Sequence, residues 1–173
     1  MKFWALGLVV LLSGCAFSAE SSKIDISADH FHYDAKLNLI LTSGNVIVKR
    51  HNMTVTARRG RYDQPNQIVV LYDTVQLSRG DMRLTCDQIT VHGRDNQVDA
   101  VGNTKFMFLE THGQSDRVLY DLNREFVTLS GHAQVFQVKD EMMGDEIFID
   151  LRQKQFRTTG KARVRLTKDR LPK

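Results

Sequence analysis

Gly44-Asn45-Val46-Ile47-Val48 returns four more times along this chain, as Asp73-Thr74-Val75-Gln76-Leu77, Gly102-Asn103-Thr104-Lys105-Phe106, Gly131-His132-Ala133-Gln134-Val135 and Gly160-Lys161-Ala162-Arg163-Val164. Each copy starts 29 residues after the last. A fixed period of this length marks a repeat protein. Each unit is one supersecondary piece that cannot cover its own apolar face and is buried by its neighbours.

Other columns keep step. Positions 40, 69, 98, 127 and 156 read Ile40, Val69, Val98, Val127 and Phe156, and positions 48, 77, 106, 135 and 164 read Val48, Leu77, Phe106, Val135 and Val164. Tyr33-Asp34, Tyr62-Asp63 and Tyr120-Asp121 each end an apolar alternation on a turn-starting acid. Ser43-Gly44-Asn45 reads as a further turn inside each unit. Alternation of period two runs through Ile26, Ala28, Phe31 and Tyr33 in the first unit and Val55, Ala57, Val69, Leu71, Val75 and Leu77 in the second. It continues through Leu84, Cys86, Ile89, Val91 and Val98, and reaches Ala162, Val164 and Leu166 in the fifth. No period of 3.6 persists beyond the leader, so the class is all-β. Two or three strands per unit give roughly ten to fifteen strands, a ribbon roughly 50 to 70 Å long at about 4.8 Å per strand. The face through Gln76, Lys105, Gln134 and Arg163 is polar. A sheet apolar on one side must fold on itself, as a sandwich or an open V.

The 173 residues suit one domain. Residues 1–20 have the layout of an export signal: Lys2, an apolar run from Phe3 to Leu12, then small residues. Two processing sites compete there. Ala16-Phe17-Ser18 gives a mature start at Ala19, whereas Leu12-Ser13-Gly14-Cys15 resembles a bacterial lipobox and puts a lipid on Cys15. Both outcomes export the chain across the inner membrane, and the second tethers it. Residues 21–167 form the repeat domain and residues 168–173 a basic tail. From Arg157 to Lys173 there are seven Lys or Arg against one acid, Asp169. Such an end either resists further strand pairing or attracts an anionic partner. Cys86 stands in a column of small residues and reads as a packed, inert thiol.

Sites of chemistry are hard to find. His30 and His32 share a strand face, but no Cys or carboxylate cluster converges on them, so no metal site is expected. Asp29, Asp87, Asp116 and Asp145 recur in nearly every unit, with Arg58 in the second, which suits a scaffold hydrogen bond, since a catalytic pair needs one special place. Arg58-Arg59-Gly60-Arg61 lacks the interleaved aromatics of a nucleic-acid binder. No enzyme, cofactor or nucleic-acid partner is expected.

The segments ADHFHYD (28–34), LTSGNVIVKR (41–50), ARRGRYDQPNQIVVLYDTVQLSRGD (57–81) and MRLTCDQITVHGRDNQVDAVGNTKF (82–106) together resemble the OstA-like or LptA family, over about residues 24 to 166. The resemblance implies a bent antiparallel sheet, semi-closed like a β-jellyroll, holding lipid acyl chains inside. It further implies a periplasmic, non-enzymatic carrier of lipopolysaccharide. Head-to-tail stacking would bridge the inner and outer membranes, with LptC-like and LptD-like components at its ends. Cys15 departs from the common pattern, and Asp73 stands where the other copies have Gly. An acyl chain of about a dozen methylenes costs roughly 10 kcal/mol to leave in water at about 0.8 kcal/mol each, so such a carrier needs a continuous apolar lining. Ile26, Val46, Val48, Val55, Val69, Val75, Leu77, Leu84, Val98, Phe106, Val127 and Val135 are the expected lining for lipid A acyl chains. Thr104, Ala133 and Ala162 predict room toward the C-terminal end. The competing readings are a tethered structural repeat with a filled core, an LptC-like partner component, and a carbohydrate-active β-helix, which would need an exposed ladder of carboxylates.

Overall fold

The computed structural model describes residues 24–167; the leader with Cys15 and the tail at 168–173 lie outside them. Among the described residues every element is a strand: β1 (Asp25–Ser27), β2 (His30–Asp34), β3 (Leu39–Arg50), β4 (Met53–Asp63), β5 (Ile68–Arg79), β6 (Met82–His92), β7 (Gln97–Phe108), β8 (Thr111–Asp121), β9 (Phe126–Gln137), β10 (Asp140–Asp150), β11 (Gln155–Thr159) and β12 (Arg163–Arg165). All twelve belong to one antiparallel sheet in simple sequence order. β1 and β2 lie end to end against β3, and β11 and β12 lie end to end against β10. Each 29-residue unit is thus one long hairpin. Four-residue loops such as 64–67 join the strands along one edge, and two-residue turns such as His51-Asn52 join them along the other. The long loops are stapled in series by Gln64 N–H to Asn38 O (3.2 Å), Gly93 to Gln67 (2.8 Å), Leu122 to Asn96 (2.9 Å) and Leu151 to Glu125 (3.0 Å).

The Gly-Asn motif is not a turn. β3 runs straight through it, and Gly44 and Asn45 are the two unpaired residues of a bulge between Ser43 and Val46. The same slip recurs between Tyr72 and Val75 and between Val101 and Thr104. Gly44 and Asn45 have φ of 73° and 45°, Gly102 and Asn103 81° and 47°, Gly131 and His132 73° and 50°. Two successive left-handed residues cannot continue a pleat, so the long odd strands β3, β5, β7 and β9 bend at the same height. The bends line up across the ladder and fold the sheet along one line. Sequence periodicity registers the event as a phase change: in β6 the buried residues are Leu84 and Cys86 before the bend and Ile89 and Val91 after it.

The Asp column explains itself here. A Cβ on Gly44, Gly102, Gly131 or Gly160 would overlap the carboxylate of Asp29, Asp87, Asp116 or Asp145. Those carboxylates take hydrogen bonds from the residue after the glycine: Asn45 Nδ2 at 2.9 Å, Asn103 Nδ2 at 2.8 Å and the Lys161 amide at 3.1 Å. His132 Nδ1 lies 2.8 Å from Asp116. In the second unit the pair is exchanged. Arg58 occupies the acid column and Asp73 the glycine column, with Asp73 2.5 Å from Arg59 Nε. That hydrogen bond holds the Asp73 carboxyl below the usual carboxylate range. Asp73 and Thr74 nevertheless sit at φ of 66° and 56°, and a β-branched residue is strained there. Restoring the common pattern with Arg58→Asp, Asp73→Gly and Thr74→Asn is expected to stabilise the chain by about 1–2 kcal/mol. A urea midpoint no higher than the parent's would refute this.

Inside the fold the inner face is continuous, from Val46, Val48 and Val55 to Ile147 and Ile149. The end units are less covered. Phe31 and Tyr33 lie on that face at its N-terminal end but are half exposed, because β2 has a neighbour on one side only. The fifth unit also departs from expectation: Ala162, Val164 and Leu166 are exposed, and among the described residues β12 pairs with β10 alone.

Candidate functional site

Eleven of the twelve expected lining residues, all but Ile26, are at most 3% exposed, and Ile26 is half-buried against the same core. The structure brings them together on one surface, as the alternation requires. It also fills that surface: across β6, β7, β8 and β9, Leu84 faces Phe106, Phe106 faces Gly113 and Gly113 faces Val135. Thr104 is 1% exposed and its hydroxyl donates to Ser115 O at 2.6 Å, and the hollow of about 200 Å³ that it borders is otherwise lined by polar residues such as Asn103, Gln114 and His132. Ala133 is equally buried. Cys86 is packed, its thiol 3.2 Å from Gln88 O, and burial, helped by Asp87, pushes the thiol pKa up to about 12.

Space is found instead where the fold closes. The hydrogen-bonded ladder joins only neighbouring strands, so the two-residue-turn edge meets the long-loop edge across a seam without strand pairing. The meeting is offset along the ladder. Arg79, at the turn edge of β5, reaches Tyr120 Oη and Leu122 O (3.3 Å) at the loop edge of β8 and lies 3.8 Å from Glu125. Its guanidinium also stands over the Tyr120 ring, 5.5 Å from the centroid. Burial raises the Tyr120 phenol above its ordinary value against the pull of Arg79.

Further along, Phe108, Leu109 and Thr111 at the turn edge and Ile149, Leu151 and Phe156 at the loop edge leave a largely apolar cleft of about 420 Å³. Phe156 also lines a smaller opening of about 110 Å³ with Met142, Val164 and Leu166 at the C-terminal end. The interior is therefore open toward its C-terminal end and along the seam. The alternation had singled out Phe156 but not Phe108, Leu109 or Leu151. The column of Phe108, with Arg50, Arg79, Gln137 and Leu166, changes chemistry from unit to unit, and only the offset closure shows what that column faces.

Both ends of the ladder are unpaired edges. β1 and β2 carry Asp25 and Asp34 with Asp29 between them, whereas β11 and β12 carry Arg157, Arg163 and Arg165 with Lys161 between them. His30 and His32 are exposed on β2. Among the described residues no group of three or more His, Cys, Asp or Glu could hold a metal ion, and no helix is long and apolar enough to cross a membrane.

Comparison with known proteins matches residues 54–155 to the family described as "LptA/(LptD N-terminal domain) LPS transport protein". The chain is 24% identical over 174 residues to the lipopolysaccharide export system protein LptA of Haemophilus influenzae, covering 99% of this chain and 91% of that protein. It is 31% identical over 110 residues to the LPS-assembly protein LptD of Nitrosomonas europaea, covering 62% of this chain and 15% of LptD. Among solved structures it is similar to LptH, the LptA-homologous periplasmic component of the lipopolysaccharide transport device of Pseudomonas aeruginosa, with 14% identity, a TM-score of 0.38 and coverage of 84% of this chain and 96% of that one.

Proposed function

The chain belongs to the LptA/(LptD N-terminal domain) LPS transport protein family, and on that premise we propose that it is a periplasmic, non-enzymatic carrier that bridges the inner and outer membranes for lipopolysaccharide. The observation that carries this is one apolar inner face running the length of the sheet and left uncovered at both ends. In the closed arrangement the lining residues fill one another's space. An acyl chain therefore enters at the seam cleft between Phe108 and Phe156, and the seam parts as it slides inward. Parting costs side-chain contacts and the Arg79 bonds, while the ladder within the sheet stays intact. Ile26, Val46, Val48 and the other lining residues then become acyl contacts in the opened state. Tethering through Cys15 belongs to the same proposal and rests on Leu12-Ser13-Gly14-Cys15; mass spectrometry of the mature N-terminus decides it.

Head-to-tail stacking follows from the edges. β12 and β1 run antiparallel, like all neighbours in the sheet, so a second copy continues the ladder without a break in alternation. The basic β11–β12 edge meets the acidic β1–β2 edge, and Phe31 and Val164, each about half exposed (53% and 50%), become covered. LptC-like and LptD-like domains would cap the same two edges.

The filled interior is what a plain scaffold would also show, and photo-crosslinking separates the two. A photoreactive residue at Phe108 or Phe156, and more weakly at Phe106 or Val48, is expected to capture lipopolysaccharide in cells. Adducts only from outward positions such as Gln76 and Lys105 would leave the scaffold reading in place.

A further inference from the structure

Near its N-terminal end the seam holds a second pocket, of about 260 Å³, and its lining is polar. Arg50, His51 and Asn52 of the first two-residue turn and Arg79 at the next face Asn96 and Asn123 from the long loops. Met53 and Leu122 lie between this lining and the core. Arg50 is the unusual member. Its Nε and Nη1 are buried and have no hydrogen-bond partner, and no acid pairs with it among the described residues. Guanidinium N–H groups withdrawn from water are nearly always satisfied, so two orphaned nitrogens on this half-buried side chain call for an acceptor. Arg79 is in a different state. It is bonded to Asn52 Oδ1 (3.3 Å), to Tyr120 and to Leu122 O, with Glu125 3.8 Å away. Arg79 is thus held in place by the protein, while Arg50 offers donors that nothing in the protein accepts.

We propose that this pocket is a phosphate-class anion site in which Arg50 supplies the primary charge-assisted contact and Arg79 a fixed second cation. Guanidinium geometry suits the choice, because a planar fork of N–H donors matches the oxygens of a phosphate monoester. Asn96 and Asn123 line the opposite wall. Arg50, Arg79, Phe108, Gln137 and Leu166 share one column of the repeat, so the seam is cationic in its first two units and apolar at its third. A phosphorylated acyl lipid lying along it would place headgroup and tails at matching ends. This last step rests on the carrier reading; the anion site itself does not.

The test uses the full chain, its Arg50→Gln variant, and Lys105→Gln as a control that removes one exposed charge from the outer face. Titration with inorganic phosphate is expected to shift the Arg50 and Arg79 Nε–H resonances in the parent and in Lys105→Gln, and to leave the Arg79 Nε–H resonance of Arg50→Gln without a saturable shift. An acylated disaccharide bisphosphate is expected to bind Arg50→Gln at least tenfold more weakly than the parent, while its dephosphorylated analogue binds both equally. A phosphate response without discrimination between the two lipids upholds the site and makes free phosphate its occupant. No phosphate response together with equal binding of both lipids by parent and variant overturns the site and leaves the carrier reading standing. Binding of neither lipid removes the carrier reading, and the phosphate titration alone then decides the site.

Discussion

Phe106→Ala is expected to destabilise the fold by about 3–5 kcal/mol, toward the upper end of what an aromatic truncation costs. Phe106 is 2% exposed, the largest of the fully buried side chains, and lies in β7 opposite Leu84 on β6 and Gly113 on β8. At the places equivalent to Gly113 the other units have Ile26, Val55, Leu84 and Met142. One large ring therefore fills the volume that a missing side chain leaves. Removing it opens a void with nothing beside it able to move in. Gly113 cannot be enlarged in compensation, because a Cβ there would come too close to the Gln134 carbonyl and would meet Val135 at 3.2 Å. Urea unfolding measures the loss. Met107→Ala, one residue on and half exposed on the outer face, is the control and should change stability by less than about 0.5 kcal/mol. A loss below about 1 kcal/mol for Phe106→Ala would mean that the inner face is not packed as described.

Reversing charge on the C-terminal edge is expected to abolish the proposed head-to-tail stacking. Lys161→Glu with Arg163→Glu places like charges opposite the Asp25–Asp34 edge of the next copy. At about 1 kcal/mol for each unfavourable cross-strand pair, the stacking Kd rises about thirtyfold. Sedimentation velocity at micromolar protein reads this as a shift from long species to single copies. Mixing with an Asp25→Lys chain should restore association between the two variants. Raising the salt should weaken the parent's stacking as well, since these charges are exposed. Unchanged sedimentation of the double variant would show that the edges do not join in this way.

Much of the fold is written in the alternation. Val46, Val55, Val69, Leu77, Val98 and Val127 are buried where period two puts them, and the 29-residue spacing sets the hairpin. Ser43-Gly44-Asn45 was the misleading segment. Gly-Asn with positive φ serves a tight turn and a two-residue bulge equally well, and only the pairing of Ser43 with Arg59 and of Val46 with Ala57 tells them apart. The phase change from Cys86 to Ile89 was the available clue, because a chain reversal needs no such slip. The seam could not be read at all. Arg79 and Tyr120 are 41 residues apart, their meeting depends on how far one half of the sheet is offset against the other, and no local pattern encodes that offset. The same reason hides the cleft at Phe108 and the unpaired Arg50.

Apart from the exchanged pair of the second unit, the joints between one hairpin and the next are built alike, from a glycine, a carboxylate and a stapled loop. Duplicating or deleting one unit therefore alters reach and little else. Two added rungs at about 4.8 Å spacing lengthen the column by about 10 Å, with both termini unchanged in character. A gap between two fixed surfaces can be matched by adjusting repeat number within one polypeptide, by adding copies, or by both, and the spacing of the surfaces then selects the gene's length.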